Sequence, residues 1–233
     1  MVAPDDAVAM RGPGPRFVSR GGEKLDAALD RFGVDPAGRV ALDAGASTGG
    51  FTDCLLRRGA AHVFAVDVGR AQLHQRLRDD PRVTVRERTN VRGLTLSDLG
   101  PDVARFDLVV ADLAFISLRT VAPALLGLAG PSADLVVLVK PQFEAGMAEA
   151  SRERGVIRDP AVWAATLEQV LAAFAQRGAA IMGVMVSPLT GAEGNVEFLA
   201  HLAAHTGAAA TADLRDMVAG VVHQATARAE ARA

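Results

Sequence analysis

The chain has 233 residues, half of them hydrophobic, which is enough to bury one substantial core and reads as one domain with appendages. A net charge of −2 excludes a generally basic binder of polyanions, so any nucleic-acid substrate has to meet a local basic surface. One cysteine excludes an internal disulfide, and no apolar run approaches the roughly 18 residues of a membrane span or forms a signal-peptide core, so the chain is read as soluble and cytoplasmic.

Residues 1–16 carry Pro4, Pro13, Pro15, Gly12 and Gly14 with little apolar periodicity, and a flexible tail is expected. From Phe17 the character changes: Leu25, Ala28, Leu29 and Phe32 fall on one helical face, with Lys24 at the start of that helix. Of the 25 basic residues only Lys24 and Lys140 are lysine. Arginine keeps its proton, whereas a lysine loses it when burial or a neighbouring cation lowers its pKa, so both lysines are candidates for chemistry. The alternative for Lys24 is a solvated first-turn charge.

The stretch from Val40 to Asp53 organises the rest. An apolar run ends at Asp43, a glycine-rich turn follows, and Phe51, Cys54 and Leu55 repeat at helical spacing, giving strand, loop and helix. Glycines let the backbone approach a ligand closely, and the helix beyond Gly50 points free N–H groups into the turn. The glycines stand at 45, 49 and 50, which is not the GxGxxG spacing of a dinucleotide site. The loop, with Asp43, Gly45, Ala46, Ser47, Thr48, Gly49, Gly50 and Phe51 as its contact residues, therefore suits S-adenosylmethionine better than NAD; a plain tight turn is the alternative.

Residues 62–67 read as a second buried strand ending in an acid, where nucleotide-binding α/β folds hold ribose hydroxyls. Asp67, with Val68 beside it, is the candidate ribose ligand; the alternative is a helix N-cap ahead of residues 72–77. Val83–Val85 is a third strand, and Asn90 beyond it is placed either to read an adenine amino group or to form a turn. Residues 106–117 are read as the fourth strand running into a second acidic tip at Asp112. Residues 134–139 are the fifth, delivering Lys140 to the same edge, where Pro141 ends the pairing. Ligands collect beyond the carboxyl ends of strands near the switch point of an open parallel sheet, so Asp43, Asp67 and Asp112 are expected to face one crevice.

Residues 142–160, with Arg152, Arg154 and Arg158, are read as a mobile flap or a solvated loop. A helix over 162–177 follows, with Trp163 packing inward, then a sixth strand at 180–186. A short connection to residues 195–199 implies an antiparallel seventh strand with Glu197 near its start. Cys54 is assigned to the core. His201 and His205 have i, i+4 spacing without the third ligand and base of a catalytic zinc site, so no metal is expected. Residues 206–212 read as a linker, and Leu214, Met217, Val218, Val221 and Val222 mark a terminal amphipathic helix.

From Phe17 to about His205 the chain resembles the TlyA branch of the FtsJ-like ribose 2′-O-methyltransferases. The resemblance is carried by residues 18–25 (VSRGGEKL), 42–52 (LDAGASTGGFT), 87–94 (ERTNVRGL), 111–118 (ADLAFISL), 139–144 (VKPQFE) and 194–198 (GNVEF). It implies a Rossmann-like class I methyltransferase domain over 17–205: a seven-stranded, mostly parallel sheet with an antiparallel last strand, helices on both faces, and residues 206–233 as linker and terminal helix. It further implies S-adenosylmethionine as donor, S-adenosylhomocysteine as product, ribosomal RNA or a ribosomal subunit as partner, and a Lys-Asp-Lys-Glu tetrad. Matched block by block, the tetrad is Lys24, Asp112, Lys140 and Glu197. Chance would leave these two of 25 basic positions as lysine about once in 300. In that scheme Lys140 accepts the proton of a ribose hydroxyl during in-line attack on the methyl, and Asp112 and Glu197 orient the two lysines.

The family's small N-terminal RNA-binding domain has no room in the fifteen or so residues before Phe17. A small-molecule O-methyltransferase on the same scaffold would keep the donor loop but would not need Arg152, Arg154 and Arg158. A haemolysin, the historical label of this family, needs a membrane-inserting segment, and none is found. A non-catalytic RNA-binding module would explain neither lysine, and an NAD enzyme is disfavoured by the glycine spacing.

Overall fold

The computed structural model describes residues 14–146, 155–191, 193–204 and 214–231. Residues 1–13 of the tail, Arg152 and Arg154 of the flap, His205 and the 206–212 linker lie outside the described residues. In chain order the elements are α1 (Gly21–Phe32), β1 (Val40–Ala44), α2 (Gly50–Arg57), β2 (His62–Val66), α3 (Gln75–Arg78), β3 (Val83–Arg86), a 3₁₀ turn (Val91–Gly93) and α4 (Leu96–Leu99). Then come β4 (Phe106–Ala111), α5 (Leu118–Leu128), β5 (Ala129–Val139), α6 (Pro141–Glu144), α7 (Pro160–Ala175), β6 (Ala180–Val186), β7 (Phe198–Ala203) and α8 (Leu214–Glu230).

The strands form one seven-stranded sheet in the order β3-β2-β1-β4-β5-β7-β6. The five strands β1 to β5 pair in parallel, and β7 lies antiparallel between β5 and β6. Side chains alternate across the pleat, so each strand feeds two cores. Leu42, Val109, Leu135 and Val137 join α5, α7 and α8 on one face, while Ala41, Val63, Leu108 and Leu138 join α1 and α2 on the other. Such double burial explains why the central strands read as continuous apolar runs.

Two topological facts position the site. The chain moves outward through β1, β2 and β3 and returns to β4 beside β1, so the switch point lies between β1 and β4, whose tips carry the glycine loop and Asp112. Because β7 runs antiparallel, its first residue lies at the carboxyl edge of its neighbours: Phe198 pairs with Val139. Glu197 and Lys140, each one step past that pair, thus meet at the same edge.

Several boundaries differ from the sequence reading. The fourth strand stops at Ala111 rather than continuing to Ser117, because Ser117 is the N-cap of α5, accepting from the Arg119 N–H. The helix expected at 72–77 starts at Gln75 with His74 as its cap, so Asp67 caps no helix. β5 begins five residues earlier than expected, at Ala129. β7 begins at Phe198, which leaves Glu197 just before the strand and places His201 on a strand, where the helical i, i+4 relation to His205 does not apply.

Candidate active site

After β1 the backbone turns sharply: the N–H groups of Gly45 and Ala46 both donate to the Val66 carbonyl, at 2.8 and 3.1 Å. Gly45 adopts φ +88°, and a Cβ there would come within 2.4 Å of the Asp112 carbonyl, so only glycine lets the loop lie against the tip of β4. At Gly50 a Cβ would stand 2.2 Å from Ser19 Oγ, where the starts of α1 and α2 meet. Beside these close approaches lies a cavity of about 230 Å³ lined by Lys24, Asp112 and Lys140 together with Gly45, Ala46, Ser47, Thr48, Gly50 and Phe51. A second cavity of about 790 Å³ shares Gly45, Ser47 and Asp112 and continues to Asp67, Val68 and Asn90.

Asp67 joins the two sides of that cleft. Its Oδ2 accepts from the Ser47 N–H at 2.8 Å and its Oδ1 from the Gly69 N–H at 2.7 Å. A carboxylate has about four acceptor positions, so two remain for hydroxyl groups. Asn90 forms the turn: its Oδ1 accepts from the Arg92 N–H at 2.9 Å, while the residue also lines the cleft.

The tetrad assembles as two ion pairs. Lys24 Nζ donates to Glu197 Oε2 at 2.5 Å, with side chains only 9% and 3% exposed. Lys140 Nζ lies 2.5 Å from Asp112 Oδ1, with side chains 13% and 23% exposed. Lys24 is therefore buried rather than a solvated first-turn charge, and α1 carries it there by packing against α2. The Arg20 guanidinium donates to the Thr190 carbonyl and ties the start of α1 to the turn that precedes Glu197.

Two predicted loop residues sit elsewhere. Asp43 does not line the crevice: it is fully buried beneath the loop, its Oδ2 accepting from Thr52 Oγ1 at 2.7 Å and its Oδ1 without a hydrogen-bond partner among the described residues. Burial pushes its carboxyl up to about 7 against the opposing Thr52 hydrogen bond, and the nearby Asp112 and Asp67 add to the rise. Gly49, at φ +98°, backs onto Leu73 and Leu77 instead of the cavity.

Two other residues were not singled out by sequence reasoning. Phe115 is 91% exposed in the left-handed region at φ +64°, lines the larger cavity and stands 5.1 Å from the Phe143 ring. A bulky side chain held in that conformation is uncommon outside functional loops. The available signal was length, since a twelve-residue fourth strand exceeds the usual five or six. Glu144 is buried and accepts from Ser117 Oγ at 2.5 Å and the Leu118 N–H at 2.7 Å, lacing the turn after Lys140 to the loop after Asp112. Burial raises its pKa, against those hydrogen bonds.

The remaining candidates are structural. Cys54 is buried. His201 Nε2 is engaged by Asp134 Oδ1 at 2.7 Å, and among the described residues no cluster of three His, Cys, Asp or Glu could hold a metal. Arg158 is exposed beside a separate cavity of about 570 Å³ between α7, α8 and the turn before β7. Trp163 packs edge-on to Phe198 and donates Nε1–H to the Ile157 carbonyl at 3.1 Å. No helix among the described residues is long and apolar enough to cross a membrane.

Comparison with known proteins gives a consistent picture. Residues 17–204 match the family model described as FtsJ-like methyltransferase. The chain is 53% identical over 196 residues to the 16S/23S rRNA (cytidine-2′-O)-methyltransferase TlyA of Mycobacterium tuberculosis, covering 84% of this chain and 72% of that protein. It is 39% identical over 186 residues to hemolysin A of Brachyspira hyodysenteriae, covering 80% and 76%. A solved structure from Streptococcus thermophilus, provisionally named a haemolysin, superposes with a TM-score of 0.84 at 37% identity, covering 94% of this chain and 79% of that one.

Proposed function

The chain belongs to the FtsJ-like methyltransferase family, and on that footing we propose that it methylates a ribose 2′-hydroxyl, of a cytidine in ribosomal RNA, with S-adenosylmethionine as donor. The observation that carries this reading is the convergence of two lysine–carboxylate pairs, one buried and one half-buried, whose Lys24, Asp112 and Lys140 line the cavity that the glycine loop also lines. The cleft fits the donor: glycines 45 and 50, where a Cβ would collide with Asp112 and Ser19, let the loop lie close against the tip of β4 and the start of α1, and Asp67 retains acceptor positions for ribose hydroxyls. When bound, S-adenosylmethionine supplies a methyl group on a positively charged sulfur and leaves as S-adenosylhomocysteine.

The chain's own residues would do the rest. A ribose hydroxyl is a poor nucleophile, and Lys140, acting as the neutral amine, takes its proton at Nζ as the oxygen attacks and becomes the ammonium. Asp112 holds that ammonium by its Oδ1, fixing the direction in which the nitrogen points. Glu197 does the same for Lys24 and offsets the second positive charge in the cavity. Phe115, exposed on the cleft wall, offers a face on which the acceptor base stacks. Positioning rather than a covalent intermediate supplies the rate. A membrane-acting role has no supporting segment among the described residues.

The direct test is transfer of labelled methyl from S-adenosylmethionine to unmodified small and large ribosomal subunits, with mock and Lys140→Ala controls. Label in rRNA that depends on Lys140 is the expected result. Cofactor binding without any label in rRNA would overturn ribosomal RNA as the acceptor.

A further inference from the structure

Most arginines of the described chain are held. Arg57, Arg58, Arg76, Arg78 and Arg82 each have a carboxylate partner. Arg70, Arg88 and Arg92 are different: all three are exposed, and among the described residues none of their guanidinium groups has an ion pair or a hydrogen bond. In a chain of net charge −2, unpaired arginines gathered at one place are a local basic surface of the kind a polyanion would need.

The three stand on two segments that are laced together at the outer end of the cleft. The Arg88 N–H donates to the Gly69 carbonyl at 3.1 Å and the Thr89 N–H to the Asp67 carbonyl at 2.9 Å. Glu87 accepts from the Arg78 guanidinium. Ala71 and Arg88 both adopt the left-handed conformation at φ +54°, an unfavourable backbone state for either residue, and at Arg88 the bond to Gly69 holds it. Arg92 lines the same cavity as Asp67 and the exposed Phe115. Unpaired arginines interleaved with an exposed aromatic ring are the composition of a surface for unpaired RNA, where guanidinium groups meet phosphates and rings meet bases.

We propose that Arg70, Arg88 and Arg92 form a phosphate-binding rim for the RNA strand that carries the acceptor nucleotide, separate from the tetrad. The proposal rests on the reading of the chain as an RNA methyltransferase. It assigns to the rim affinity and register, not chemistry, because phosphate contacts fix where a strand lies without touching the reacting atoms.

The test compares wild type with an Arg70→Gln/Arg88→Gln/Arg92→Gln variant and with the corresponding triple lysine variant. Binding to unmodified ribosomal subunits is followed between 50 and 200 mM salt, methyl transfer is measured at saturating subunit, and S-adenosylmethionine affinity is measured by calorimetry. Loss of three phosphate contacts lowers the slope of log K against log salt by about 2 to 3. The KM for subunits rises about tenfold or more, kcat at saturation of both subunit and donor stays within about twofold, and the lysine variant keeps most of the wild-type slope; the donor affinity separates any effect of Arg92 on the cavity it shares with Asp67 from the effect on RNA. Exposed Arg31 and Arg228, which also lack an ion pair or hydrogen bond among the described residues, serve as controls: Arg31→Gln/Arg228→Gln leaves the slope unchanged. Should the glutamine triple fail to fold, Arg70→Gln and Arg92→Gln singly each lower the slope by about 0.7 to 0.9. An active wild type and variants with its slope would overturn the rim alone. A wild type without salt-dependent binding to RNA would overturn the RNA reading, and the rim with it.

Discussion

Removal of the Glu197 carboxylate is the most informative single perturbation of the site. The Lys24–Glu197 pair is closed at 2.5 Å with side chains 9% and 3% exposed, so Glu197→Ala leaves an ammonium buried without its counter-charge. Breaking one side of a buried pair costs about 3 to 5 kcal/mol. Lys24 borders the small cavity, where water can reach it, which favours the lower end. At about 2 to 4 °C per kcal/mol for a chain of this size, Tm falls by roughly 6 to 20 °C. Replacing both partners by apolar residues of similar volume, Lys24→Met/Glu197→Leu, removes the uncompensated charge and returns stability to within about 2 kcal/mol of wild type. Methyl transfer stays lost in both variants. The assay is a double-mutant cycle by chemical denaturation, with labelled methyl transfer measured on the same samples. Destabilisations of Lys24→Met and Glu197→Leu that simply add in the double variant would refute the pair as a coupled unit. Recovery of transfer in the apolar double variant would remove both residues from the chemistry.

Three further outcomes follow from the same geometry. Lys140→Arg places a permanent cation beside Asp112, and donor binding measured by calorimetry is expected to hold while transfer falls by about 10² to 10⁴, since arginine cannot give up its proton and so cannot accept one; substantial residual activity would exclude Lys140 as base. Phe115→Ala removes an exposed ring, so Tm is expected to stay within about 2 °C while the KM for the RNA acceptor rises about 5- to 150-fold, the worth of one base stack of about 1 to 3 kcal/mol; an unchanged KM would leave the ring without that role. For Asp43 the folded-state value of about 7 lies above the ordinary 3.8, so the folded protein holds a proton that the unfolded chain releases and its stability falls as pH rises from about 4 to 7. The full effect is about 4 kcal/mol, and Asp43→Asn, which keeps an acceptor for Thr52, is expected to abolish it; a wild-type-minus-variant stability that is flat across that window would contradict the assignment.

What the sequence disclosed and what it withheld have separate physical causes. The strands of the central sheet were legible because burial on both faces writes a continuous apolar run, and the acids and Lys140 were legible because nothing in strand stability asks for a charge at such a tip. The edge that Glu197 shares with Lys140 could be inferred from a short connection, which forces the last strand to run backwards. The contact of Lys24 with Glu197 spans 173 residues of chain, and neither periodicity nor spacing encodes it; only the matched sequence blocks put the two in one set. Asp43 misled for the opposite reason: an acid before a glycine loop looks like a ligand, yet its side chain points to the Thr52 side of the pleat, and one residue of register decides between crevice and core. Phe115 was hidden by composition, because an apolar residue after an apolar strand reads as more strand. Its exposure depends on a left-handed backbone, on the Ser117 cap that starts α5, and on Glu144 holding that cap from the turn after Lys140. The ring that would meet the acceptor and the lysine that would deprotonate it are thus tied through one buried carboxylate. A change at Glu144 should therefore be felt at both ends of the acceptor site, although the hydrogen bonds of its carboxylate go to Ser117 and Leu118 and not to Phe115 or Lys140.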